Sequence, residues 1–363
     1  MRFPGKIQRT IKECDSVKRR LVIIVWMISL PPLILGQTAN KKESSRSTVR
    51  AIHAADTWVD KSPHKVGFVV VNGIRLHYLD WGGKGEALLF LTGMGDSAHI
   101  FDDLAPKFTD SFRVLGLTRR GQGKSDKPES GYDTGTLVED IRQFLDLMKI
   151  SRVILVGHSL AGNELTRFAE AYPDRVEKLV YLDAAYDRAG LPEKYKQAPS
   201  PPAASKEDRA SFEKVHEWVM KNWSKPWTDA WEADLRDIII FDPQEGVYRK
   251  ATPDAVYAAM LKGSEESHPD YTKVKAPALS FYALYDVAAM CEVFADEASR
   301  QKMKDFIELV LIPHQRENIA RFKREMLRGR VIEMPNTDHT CFIQKQDEVV
   351  RQMRAFLLGK SGK

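Results

Sequence analysis

The chain has little cysteine, three in 363 residues, which is too few for a disulfide-built scaffold. It also lacks a clean membrane span. The best candidate, residues 21–36, is shorter than the roughly 20 apolar residues a spanning helix needs and is broken by Pro31 and Pro32. Excess charge is confined to one end. The formal net charge is +5, yet the first 20 residues hold seven basic side chains against two acidic ones. The remainder is close to neutral and offers no electrostatic footprint for nucleic acid. No His, Cys or Asp cluster has metal-ligand spacing, and the glycine-rich loops that cradle phosphates are absent. No internal repeat is evident. These absences lead us to expect neither cofactor nor metal, and no nucleic-acid partner.

What is present begins with a basic head, a short apolar stretch and small residues near Gly36 and Ala39. That order reads as a secretory signal peptide over residues 1–36, followed by a polar linker over 37–65. The protein is therefore expected to be exported, periplasmic or secreted. An uncleaved signal anchor, the only membrane contact expected, is the alternative. Cys14 would leave with the signal, so Cys291 and Cys341 could meet in an oxidising compartment as a disulfide or remain as two buried thiols.

Hydrophobic residues make up 43% of the chain, ample for a large core. From Val66 onward the pattern becomes regular. Residues 67–71 and 74–79 flank Asn72-Gly73, a strong hairpin signal. Apolar runs at 87–91, 112–117, 153–156, 179–182 and 278–283 read as buried strands. Helical periodicity over 134–148 and 347–358 alternates with them, so the fold class is α/β with a mostly parallel sheet flanked by helices. The alternation lapses over 185–275, which carries a Pro-rich segment and Trp218, Trp223, Trp227 and Trp231. An insertion of this size is read as a helical cap over the C-terminal strand edge, placed before the penultimate strand, with most of its tryptophans packing between helices. The core is then 66–184 plus 276–363. A further helical region is expected over 297–326, with Pro313 as a possible break.

The central stretch is Val153-Ile154-Leu155-Val156-Gly157-His158-Ser159-Leu160-Ala161-Gly162. A strand running straight into a helix through Gly-His-Ser-Leu-Ala places the Ser159 hydroxyl on a tight turn above the sheet edge. The usual last glycine is Ala161, still a small residue. Asp286 and His339 each follow a later strand, which gives the order nucleophile, acid, base. A serine hydroxyl needs a base to remove its proton; His339 would supply it, and Asp286 would fix the imidazole tautomer. Asp183 also ends a strand and is the rival acid. Asp338, beside the histidine, is poorly placed to turn toward it. The oxyanion donors are expected at the backbone N–H groups of Leu160 and Met94, the latter between Gly93 and Gly95. His158, His77 and His99 read as structural.

These pieces resemble the α/β-hydrolase superfamily, in its capped branch of epoxide hydrolases, haloalkane dehalogenases, proline iminopeptidases and esterases. The resemblance rests on Thr92-Gly93-Met94-Gly95-Asp96, Arg120-Gly121-Gln122-Gly123-Lys124-Ser125, the elbow, Asp286 and His339. It covers 66–358. Thr92 stands where the family commonly has histidine. Serine at 159 departs from the aspartate nucleophile of epoxide hydrolases and dehalogenases, and no Gly-Gly-Pro-Gly loop of the iminopeptidases is present. The resemblance thus implies an acyl-enzyme hydrolase acting on a small to medium apolar ester or related acyl substrate. A carbon–carbon bond hydrolase and a receptor-like small-molecule binder are the alternatives.

Overall fold

The computed structural model describes residues 58–200, 202–222 and 227–359. The expected signal segment, Cys14, most of the linker and Trp223 lie outside them. The main sheet has eight strands: β1 (Lys65–Val71), β2 (Ile74–Gly82), β3 (Ala87–Leu91), β4 (Arg113–Leu117), β5 (Val153–His158), β6 (Val176–Leu182), β9 (Ala278–Leu284) and β10 (Gly329–Pro335). Their order across the sheet is β1-β2-β4-β3-β5-β6-β9-β10. The first two pairings, β1 with β2 and β2 with β4, are antiparallel and the rest are parallel. Every residue of β3 and β5 is buried, as a parallel strand covered on both faces requires. At the edge, Val71 faces Ile74 across Asn72 and Gly73, whose φ angles of 50° and 78° make the two-residue turn the Asn-Gly pair favours.

Chain order and spatial order diverge at β3. The chain leaves β3 for β4 on one side and reaches β5 on the other. The connections from β3 and β5 therefore part at their C-terminal ends and open a crevice between them, where ligands bind in open α/β sheets. Leu91 of β3 is level with Gly157 of β5, so the loop after Leu91 and the turn after His158 rise side by side.

Helix α1 (Thr134–Leu147) starts at Asp133, whose side chain accepts from Thr136 N–H, and buries Leu137, Val138, Ile141, Phe144 and Leu145. Helix α2 (Ala161–Ala171) follows β5 directly, with Leu165 and Phe168 buried against the same face of the sheet. Ala161 is fully buried in that layer. On the opposite face, Phe90, Phe101, Phe108, Leu182 and Phe281 form the second core layer. The Arg120 guanidinium makes two 2.6 Å bonds to the buried Asp140 carboxylate and so fastens the loop after β4 to α1.

Between β6 and β9 lie α3 (Leu191–Tyr195), α4 (Phe212–Asn222), α5 (Asp229–Ile238) and α6 (Asp254–Glu265). The helical reading of this segment omitted a separate antiparallel hairpin, β7 (Ile239–Asp242) with β8 (Val247–Lys250). Its strands have only four residues each, too short for an alternating pattern to stand out. Trp231 is buried in the second core layer, and Trp218 and Trp227 pack among cap side chains. A second excursion separates β9 from β10: α7 (Val287–Cys291), α8 (Glu297–Phe306) and α9 (Ile312–Glu325). The region expected to break at Pro313 is interrupted just before it, by a π-helical turn over Ile307–Leu311. Proline lacks an N–H and crowds the carbonyl one turn back, and the wider turn absorbs that defect. The chain ends with α10 (Cys341–Gln344) and α11 (Gln346–Leu358), the latter burying Val349, Met353 and Leu357. Cys291 and Cys341 are not bridged.

Gly162, at the start of α2, is held against the strand beside it. A Cβ there would lie 1.9 Å from the Ala184 carbonyl oxygen. Gly162→Ala is therefore expected to cost about 1–3 kcal/mol of stability, the usual penalty of overpacking. Urea unfolding measures it, and an unchanged midpoint would show that the Ala184 segment yields freely.

Candidate active site

The turn after β5 is strained in the way a nucleophile elbow requires. Ser159 has φ = 55°, a region non-glycine residues seldom occupy. Its backbone N–H donates to Leu182 O at 3.3 Å, and its carbonyl accepts from Gly162 N–H at 3.0 Å as α2 begins. The buried Arg188 guanidinium also donates to Ser159 O, at 2.7 Å, and to Asn163 Oδ1 at 2.9 Å. The turn is thus gripped from both sides.

The loop after β3 packs against it. A Cβ on Gly93 would meet His158 Nδ1 at 2.8 Å and Ser159 Cβ at 3.1 Å, so no side chain fits there. Gly95 N–H donates to Gln122 Oε1 at 3.0 Å, which fixes the loop to the Arg-Gly-Gln-Gly segment after β4. Met94 and Leu160 line one cavity with Ser159 and His339. The structure therefore brings four of the five expected site residues together.

The fifth, Asp286, is not with them. Its carboxylate caps α7, accepting from Ala289 N–H at 3.1 Å. The partner of His339 is Asp183: Nδ1 donates to Asp183 Oδ2 at 2.7 Å. Register explains the correction. Leu182 of β6 is level with Phe281 of β9, so Asp183 emerges one residue above that level and Asp286 five. At ~3.3 Å per extended residue, β9 carries its aspartate well past the point where the histidine arrives. A signal was available in the sequence, since Asp286 precedes Val-Ala-Ala-Met and so reads as a helix N-cap.

Asp183 is fully buried and held by several donors. Its Oδ1 accepts from Tyr186 Oη at 2.6 Å and from Ala283 N–H at 3.0 Å, and Tyr285 Oη lies 3.4 Å from Oδ2. Burial pushes the Tyr186 hydroxyl well up, so it stays a donor. With Nδ1–H committed to a carboxylate, His339 keeps its lone pair on Nε2. His158, inside the elbow, is buried and donates from Nε2 to His339 O at 3.0 Å. Burial lowers its pKa, so it is a neutral brace between the two loops. Asp338 turns away, accepting from Thr340 and Gln344.

The cavity holds about 160 Å³. Leu191, Pro192 and Tyr195 border it from the segment after β6, Leu261 from α6, and Tyr285, Leu311, His314 and Gln315 from the excursion after β9. The sequence offered no pointer to the second group, which comes from a region read only as helical. The lining contains tyrosines rather than any of the described tryptophans. Apart from this cavity, the fold gathers His77 and His99, which the spacing left isolated, with Asp237 into a buried group able to hold a metal.

A family model described as "alpha/beta hydrolase fold" matches residues 86–223. That match covers less than half of the chain, and with the sheet order it shows the α/β-hydrolase fold, as expected. A 2-(acetamidomethylene)succinate hydrolase of Mesorhizobium japonicum is 35% identical over 101 residues, 28% of this chain and 36% of that protein. A soluble epoxide hydrolase of a Corynebacterium species is 32% identical over 114 residues, 31% of this chain and 40% of that protein. An uncharacterised protein of Mycobacterium bovis is 32% identical over 125 residues, 34% of this chain and 36% of its own length. These matches span little more than a third of each relative. Among solved structures, the crystal structure of an E-2-(acetamidomethylene)succinate hydrolase superposes with a TM-score of 0.57 at 20% identity, covering 81% of this chain and all but 1% of that one. That likeness concerns the fold.

The two aspartates are separable by experiment. Asp286→Ala should cost about 0.5–2 kcal/mol in chemical unfolding, the usual worth of an N-cap, and leave the His339 ring proton signal in place. Asp183→Asn should move or abolish the downfield Nδ1–H resonance of His339 in proton NMR. The reverse pattern would contradict the pairing.

Proposed function

We propose that the protein is a serine hydrolase that cleaves a carboxylic ester, or a related acyl bond, through an acyl-enzyme on Ser159. The observation that carries this reading is the convergence of a strained serine and a carboxylate-backed histidine on one cavity. His339 Nε2 takes the Ser159 proton as Oγ attacks the acyl carbon. The developing oxyanion is met by the N–H groups of Leu160 and Met94. The imidazolium, stabilised by Asp183, returns the proton to the leaving alcohol, and the same base then activates water to release the acid. Asp183 thus takes the role first expected of Asp286.

The cavity supports the substrate class. Its volume of about 160 Å³ is close to the ~150 Å³ of an engineered apolar cavity that binds benzene. A small to medium apolar acyl group fits that scale. The basic head and apolar stretch of residues 1–36 support export.

The test exposes the chain from about Gln37 to a fluorophosphonate probe and to nitrophenyl esters of increasing acyl length. Labelling and turnover are expected in the wild type and lost in Ser159→Ala. Asp183→Asn should reduce kcat by about 10⁴-fold, as expected when the histidine is left in the wrong tautomer. Asp286→Asn should stay near wild type. A folded wild type that neither labels nor turns over any ester would sink the catalytic reading and favour a receptor-like binder.

A further inference from the structure

Helix α5 lies across the 3-10 turn Ala98–Phe101 and is fastened to it at two levels. At the first, Asp234 Oδ1 accepts from Ser97 N–H at 2.7 Å and from Ser97 Oγ at 2.9 Å. Nearly one turn further on, the buried Asp237 carboxylate behaves differently. Its Oδ1 pairs with Lys124 Nζ at 2.5 Å, but Oδ2 has no hydrogen-bond partner. That oxygen lies 3.6 Å from His99 Nε2 and 3.8 Å from His77 Nδ1, both rings being buried. These gaps are too long for hydrogen bonds. A buried carboxylate oxygen left unpaired is costly, and such groups in native proteins are paired or coordinate a metal.

The protonation pattern suits a cation. His99 Nδ1 donates to Asp102 Oδ2 at 2.7 Å, so its lone pair is on Nε2, facing Asp237. Asp102 is itself fixed, accepting from Trp81 Nε1 at 2.8 Å and lying 2.9 Å from His64 Nδ1. A carboxylate that orients the far nitrogen of a histidine is the usual support of a metal-bound imidazole. His77 Nδ1 lies 2.9 Å from Thr118 Oγ1, a contact it would exchange for one to the ion. The three ligand atoms lie within 4.8 Å of one another. Atoms each ~2.0–2.1 Å from one tetrahedral zinc sit about 3.3 Å apart, so a small contraction would close this set around an ion.

We propose that His77, His99 and Asp237 bind one divalent transition-metal ion of the zinc type, which clamps α5 to the sheet and to the loop that carries Met94. Two imidazoles and one carboxylate select zinc and its neighbours over calcium or magnesium, which prefer oxygen ligands. The neighbouring group Asp60, His64, His99 and Asp102 shares His99 with this set through its Nδ1, which Asp102 already holds, and acts as support. The role is structural and does not depend on the proposed hydrolysis.

The test uses the full purified chain, stripped with chelator and titrated with Co²⁺ and with Zn²⁺. The expected result is one equivalent bound, visible d–d bands for cobalt, and a raised melting temperature. Asp237→Asn and His99→Gln should lose that equivalent, and Asp102→Asn should weaken it by about 10–100-fold. Lys124 is half exposed and competes for Asp237, so Lys124→Gln should fold normally and bind the ion more tightly. That variant decides the case if the ligand variants fail to fold. A folded wild type that takes up no stoichiometric metal overturns the proposal. So does uptake that is unchanged in the folded ligand variants, or an affinity that does not rise in Lys124→Gln.

Discussion

Everything around the site depends on how the parallel strands are levelled at their C-terminal ends. Leu91 is level with Gly157, and His158 with Leu182. The backbone ladder therefore places the loop after β3, the Ser159 turn and Asp183 side by side before any side chain is considered. The hydrogen-bond register of a sheet buried on both faces is strongly specified, because a slip would leave ladder groups unpaired inside an apolar layer. Side-chain chemistry then acts on a frame that is already rigid. Arg188 and Gly162 close the elbow from below, while His158 and Gly93 close it from beside.

That frame explains which parts could be read along the chain. The elbow is local: strand, turn and helix follow one another within a dozen residues, and periodicity suffices to find them. The Asn72-Gly73 hairpin and the face of α1 were legible for the same reason. The acid was not. Asp183 and Asp286 both follow strands, and only the relative height of β6 and β9 distinguishes them, a property no single segment encodes. The short β7–β8 hairpin and the π turn before Pro313 escaped because each is smaller than the window that reveals a period. His77, His99 and Asp237 stand far apart in sequence, so spacing alone could not bring them together.

The two excursions divide the work of covering the crevice. The first, after β6, brings α5 across the sheet and anchors it through Asp234 and Asp237 to the loops after β3 and β4. The second, after β9, makes a satellite core of its own from Met290, Phe294, Met303, Phe306 and Leu311. It sends Leu311, His314 and Gln315 into the cavity. Gln315 also reaches the Tyr186 hydroxyl at 3.3 Å, so this side of the pocket touches the hydrogen bonds around Asp183.

The placement of the carboxylate on β6 has a consequence for how such a protein can diversify. Ser159 and Asp183 leave neighbouring strands, and neither is carried by the long segment between β9 and β10. Had Asp286 been the partner of His339, that segment would begin at a group gripping the histidine, and its first turn could not move without disturbing it. As built, Asp286 serves only its own short helix. The walls of the pocket after that point can be lengthened, shortened or recombined as a unit, and Ser159 and Asp183 stay where β5 and β6 hold them.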